Sequence, residues 1–276
     1  MSISWILQIL CFGGLVPALI CVVVFRGACF IPKVAPSLWG GVGLAIAFAS
    51  CGELLDATDY RPTSPVRPLL LLVYAAVVIG LVDPILALKP RIPLRLLASG
   101  IAAWMLVPGF MADTFDGVAS IASNLSATRQ IVGMFAAIFA TWSLLGRLAE
   151  QQRGATLPFI LSAIALTTAI AIECTGYTRL SQLTIILASF LGGCGLVSWW
   201  SPDRDWLQTL LPGAVVLLVG GLFTGYFQNS GELTNYAFLP LLVAPILIGL
   251  VGSGRLWTQR IIAAACCAAS LVMAVS

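Results

Sequence analysis

The sequence predicts an all-α protein, a polytopic bundle of about ten transmembrane helices forming one domain over residues 1–276, with no soluble domain. Three observations predict it. The chain is 60 % apolar and only 9 % charged, with a mean hydropathy of +1.03. A soluble domain averages roughly 25 % charged residues, so lipid must be the main solvent. A helical span takes about 20 apolar residues, so ten spans use roughly 200 and leave about 75 for short loops. The apolar runs are continuous, whereas a membrane β-barrel alternates with a period of two.

The helices fall at 3–25, 37–55, 68–88, 95–111, 128–148, 155–174, 178–200, 208–228, 236–252 and 257–275, each bounded by Pro, Gly or charge. No Lys or Arg precedes the first run, from Ile3 to Phe25, and no small-x-small cleavage site follows it. It reads as a retained span and not as a cleaved signal. The third carries the Asp83-Pro84 step near its end. The fourth is short, and the ninth holds Pro240 and Pro245, so the count ranges from nine to eleven. The eighth contains Gly221 and Gly225, one GxxxG pair that permits close helix contact. The seventh ends on Trp199 and Trp200 and the tenth begins at Trp257, where an indole prefers the membrane interface. Trp104 and Trp142 fall mid-helix and are assigned packing roles. The two halves of the chain show no internal repeat.

Charge orients the bundle. The odd-numbered loops carry Arg26, Lys33, Lys89, Arg91, Arg95, Arg147, Arg153, Arg204, Arg255 and Arg260, ten basic residues. The even-numbered loops carry four, Arg61, Arg67, Arg129 and Arg179, and the tails none. Basic loops stay in the cytoplasm, so both termini are expected on the outer face of a cell inner membrane. The acids Glu53, Asp56, Asp59, Asp113, Asp116, Glu173 and Glu232 then lie on the outer side.

The residue inventory excludes several chemistries. The chain has no histidine, which removes His-ligated haem, zinc and copper and a histidine base. None of the eight cysteines forms a CxxC pair, and buried reduced thiols are expected. There is no phosphate-cradling glycine loop and no basic tract for nucleic acid. Cofactors and a metal site are therefore not expected.

Ionisable groups inside spans are costly and start as functional candidates. Asp83 is one, although an Asp-Pro step also breaks a helix, and Lys89, Arg91 and Arg95 follow closely. Glu53, Asp56 and Asp59 share one face if the second helix continues, or form a solvated loop partnered by Arg61. Glu173 ends the sixth helix, where a carboxylate gains nothing from the helix dipole.

Two segments, Pro32 to Gly41 and Gly80 to Pro84, resemble parts of the polyprenyl-phosphate N-acetylhexosamine-1-phosphate transferase superfamily. Pro32-Lys33-Val34-Ala35-Pro36-Ser37-Leu38-Trp39-Gly40-Gly41 is similar to its basic inner loop ending in Gly-Gly. Gly80-Leu81-Val82-Asp83-Pro84, followed by Arg91 and Arg95, is similar to its Gly-x-x-Asp-Asp. The resemblance implies ten or eleven spans with the amino terminus outside. Pro84 replaces the second aspartate of the magnesium-binding pair, and the family's histidine motif has no counterpart. The inner loops offer only Asp83, Glu150, Asp203 and Asp205 as acids, so no transferase activity is expected.

Asp56-Ala57-Thr58-Asp59-Tyr60-Arg61-Pro62, Arg95-Leu96-Leu97-Ala98-Ser99-Gly100 with Trp104, and Trp199-Trp200-Ser201-Pro202 resemble an uncharacterised family of multi-pass membrane proteins from planctomycete bacteria. That likeness runs over most of the chain and implies an inner-membrane protein. The expected function is non-catalytic, with passage or binding of a small molecule or lipid. The alternatives are a scaffold or subunit of a membrane complex and a decayed relative of the transferases. The partners follow: the lipid bilayer, then a second copy or another membrane-complex subunit, and no nucleic acid. A binding role predicts that Glu53 and Glu173 converge on a cavity beside the second and sixth helices.

Overall fold

In a computed structural model, the described residues are 8–28, 38–55, 66–82, 88–111, 121–152, 154–201, 207–228 and 234–275. They are helical throughout, with no strand among them. Ten α-helices follow one another: α1 Val16–Ala28, α2 Leu38–Leu54, α3 Val66–Val82, α4 Leu88–Met111, α5 Ile121–Gln151, α6 Thr156–Cys174, α7 Thr178–Trp200, α8 Leu211–Gln228, α9 Phe238–Val251 and α10 Leu256–Val275. A π-helical stretch, Ile9–Leu15, leads into α1, and a 3-10 turn, Thr234–Ala237, leads into α9. Five stretches are long and apolar enough to cross a membrane: Ile9–Gly27, Thr128–Gln151, Thr156–Cys174, Thr178–Trp200 and Leu256–Ala274. Helices α2, α3, α8 and α9 are apolar but shorter, at 14 to 18 residues.

Every expected helix is present, and the boundary differences have local causes. The wide π turn ends just before Pro17, whose ring would clash with the Gly13 carbonyl in a regular helix. Helix α4 starts at Leu88 and not at 95, because Pro90 falls in its first turn, where the missing amide has no helical partner to lose. Pro240 sits likewise in the first turn of α9, and only Pro245 is interior.

Helix α8 is the axis of the core. Nearly every side chain from Leu210 to Leu222 is buried, and its glycines point in several directions. Gly213 faces Val77 and Leu44, Gly220 faces Leu69 and Leu106, Gly221 faces Ile172, and Gly225 faces the Phe238 ring. The GxxxG pair is thus used inside the chain, against α6 and α9. Lipid tails are as apolar as leucine, so this close van der Waals approach holds helices together where water cannot. Elsewhere, Gly193 lets α7 meet α1 so closely that the Cys21 and Cys194 sulfurs lie 3.4 Å apart, both fully buried.

Contacts gather the helix ends that flank the odd-numbered connections at one end. There Arg91 pairs with Glu150 at 2.8 Å, joining α4 to α5. Ser253 donates to Gln151 at 3.5 Å, joining the α9–α10 connection to the end of α5, and Arg260 donates to Thr156 at 3.5 Å, joining α10 to the start of α6. At the same end the buried Thr209 hydroxyl accepts from the Gly41 amide at 3.1 Å, capping the first turn of α2 from a different element. The exposed indoles Trp199, Trp200 and Trp257 ring this basic end.

Two sequence expectations are corrected. Trp142 is buried, but Trp104 is 67 % exposed, on the outward face of α4. Arg95 is not a loop residue. It lies within α4, 9 % exposed, its guanidinium 5.6 Å from the Trp142 ring. Arg91, Arg95 and Ser99 recur every four residues on α4, as Glu150, Gly146 and Trp142 do in reverse on α5. This antiparallel register sets Arg91 on Glu150 and lays the Arg95 fork over Gly146, where a Cβ would meet it at 3.0 Å.

Candidate functional site

A cavity of about 690 Å³ opens at the basic end between α6, α7 and α10. Its shape follows from side-chain size at helical spacing. Thr156, Phe159, Ile160, Ala163 and Thr167 fall on one face of α6, and Arg260, Ala263, Ala264 and Cys267 on one face of α10. The alanines leave the two helices unable to close over each other. Ser198 and Trp199, at the end of α7, complete the wall. Gly154, at φ 104°, takes a conformation that other residues rarely adopt and starts α6 at the mouth.

The interior is apolar although it contains hydroxyls. Thr167 donates to the Ala163 carbonyl at 2.9 Å and its hydroxyl also meets the Cys267 thiol of α10, so its polar atom is engaged from both sides of the cavity. Charge is confined to the mouth. Arg260 is exposed there, its guanidinium 5.5 Å from the Trp257 ring and 3.5 Å from the Thr156 hydroxyl. Ala155 offers no side-chain cap to α6, so the positive end of that helix also faces the mouth. Among the described residues, none of those lining it is acidic. Such a volume is typical of small-molecule sites, and this one combines an apolar interior with an anion-attracting rim.

Two smaller cavities lie elsewhere. One of about 280 Å³, at the opposite end between α8 and α9, is walled by Phe223, Tyr226, Tyr236 and Phe238, with no charged residue among its described lining. The other, about 80 Å³, lies beside Trp142 and Ser99. The Ser99 and Thr141 hydroxyls are buried with no hydrogen-bond partner among the described residues, and the space has room for one or two waters.

Compared with protein-family models and with curated proteins, the chain gives no match. Its function must be argued from these cavities and from the charges around them.

The residues that the sequence singled out sit apart from the main cavity. Glu53 is exposed in the last turn of α2, and Glu173 is half-buried at the end of α6. Helix α7 packs against both α2 and α6, and neither carboxylate lines any of the three cavities. Glu173 has a local task. Its Oε1 accepts from Thr178 Oγ1 at 3.4 Å across the tight α6–α7 turn, where Gly176 takes φ 83°. Asp56, Asp59 and Asp83 lie outside the described residues.

Sequence reasoning passed over Arg260, which looks like any loop cation, and the alanines one turn along the same helix. The legible signal was Ala263 and Ala264, three and four residues after Arg260 and so on its face of the helix, too small to fill space.

Proposed function

We propose that this chain is a non-catalytic, multi-pass inner-membrane protein that binds a lipid or a similarly amphiphilic small molecule in the groove between α6, α7 and α10. The observation carrying the reading is the groove itself, an apolar cavity of about 690 Å³ with one arginine at its mouth. The bias of basic residues toward the odd-numbered loops supports a cytoplasmic basic end and outer termini. The likeness to planctomycete membrane proteins supports the same setting.

Orientation has a direct test. Cys174 is exposed at the end opposite Arg260. With Cys174 as the single cysteine, a membrane-impermeant maleimide should label it on intact spheroplasts. Labelling only after lysis would reverse the topology.

Binding is tested by filling the groove. Ala264 lines it and is exposed, so Ala264→Leu removes volume without crowding the core. Added phosphatidylcholine–phosphatidylglycerol mixture should raise the melting temperature of the detergent-solubilised wild type by about 5–10 °C at saturation. Ala264→Leu should lose that rise. Equal responses would overturn binding in the groove and favour a scaffold.

A further inference from the structure

We infer that the groove is selective for an anionic phospholipid of the cytoplasmic leaflet, with one acyl chain in the cavity and the phosphate between Arg260 and the start of α6. This rests on the reading of the groove as a lipid site and names the class of lipid it takes.

Depth is the first argument. Trp199 lines the groove and is 72 % exposed, and Trp257 beside Arg260 is 75 % exposed. Indoles exposed at helix ends settle at the headgroup level of a bilayer, which sets the guanidinium at the height of lipid phosphates. The apolar walls formed by Phe159, Ile160 and Ala263 then run from that level toward the bilayer centre, along the path of an acyl chain.

Charge is the second argument. Arg260 is held by neutral partners, the Thr156 hydroxyl and the Trp257 ring, and no described carboxylate pairs with it. The contrast with Arg91, at the same end of the molecule, is instructive: its charge is matched by Glu150 at 2.8 Å. A guanidinium with two in-plane donor pairs suits a phosphate, and the uncapped α6 terminus adds positive potential on the other side of the mouth. A basic pocket between helices on the cytoplasmic side is the arrangement that recognises anionic headgroups. The opposite cavity, with Tyr226 and Tyr236 and no cation among its described lining, provides no such pairing.

The test is native mass spectrometry of the full-length protein in detergent, titrated with phosphatidylglycerol and with phosphatidylcholine of identical chains. Wild type should bind phosphatidylglycerol about fivefold more tightly, the scale of one arginine at a headgroup, and the preference should shrink as salt rises. Arg260→Gln should bind both lipids alike, and no more tightly than the wild type binds phosphatidylcholine. Ala264→Leu should weaken both. Equal binding of the two lipids by wild type, or a preference that survives Arg260→Gln, would overturn the headgroup assignment. If Ala264→Leu still weakens both lipids in that case, the groove stands as a lipid site without headgroup selection. If Ala264→Leu changes nothing, the groove reading fails together with the inference.

Discussion

Gly80→Val should lower the melting temperature of the detergent-solubilised protein by about 6–12 °C, corresponding to roughly 3 kcal/mol. A Cβ at position 80 would overlap the backbone carbonyl of Thr209 and approach Pro212 Cγ to 3.1 Å. A side chain in the way could rotate, but a carbonyl at the entry to α8 cannot. Thr209 is also the residue whose hydroxyl caps α2 through the Gly41 amide, so displacing it disturbs α2, α3 and α8 together. Gly133→Val is the matched control, since a Cβ there meets nothing within 4 Å and the residue is exposed. Equal melting of the two variants would mean that α3 and α8 are not in the contact described.

Trp142→Ala should destabilise by about 3 kcal/mol, the lower end of the range for removing a buried aromatic ring. The lower end applies if, as proposed, the helices are set in a bilayer, since only packing is then lost and not transfer from water. Trp142 is 2 % exposed, and its removal enlarges the neighbouring cavity of about 80 Å³. It also withdraws the ring that faces Arg95 at 5.6 Å, a contact worth about 2 kcal/mol where water is excluded. Trp142→Phe should recover part of the loss. Trp104→Ala, on the exposed face of the adjacent α4, should be close to neutral. Similar melting temperatures for Trp104→Ala and Trp142→Ala would overturn the packing assigned to these two rings.

The helices were readable because lipid imposes a simple rule: each backbone polar group must be bonded within its own segment, so long apolar runs become helices. The ends were less readable. Pro90 and three nearby cations look like a loop, yet a proline is harmless in a first turn, and the four-residue spacing of Arg91 and Arg95 had meaning only against α5. Mid-helix tryptophans posed the same problem. Trp104 and Trp142 have similar sequence surroundings, and only the neighbouring helices decide that one is covered and the other is not.

The candidate site was nearly invisible for a related reason. Screening the chain for acids led to Glu53 and Glu173, because charge within a span is rare and conspicuous. Neither lines the groove, and Glu173 accepts a hydrogen bond from Thr178 across the α6–α7 turn. The groove is made instead by what is missing between helices: alanines where larger side chains would close the gap, with one exposed arginine above them. Concavity is a property of two or more surfaces, and no single helix states it.

The sequence by itself determined that this is an all-α protein with helices able to cross a membrane, where those helices lie, and which connections carry the basic charge. Composition and periodicity suffice for that, because the bilayer acts on each segment separately. Only the tertiary structure decided that α8 is the core axis, that Arg95 is buried against Trp142, and that α6, α7 and α10 leave a cation-rimmed groove. Those features depend on which small residues face which neighbours, and that is settled by helix-on-helix packing, which a one-dimensional pattern does not encode.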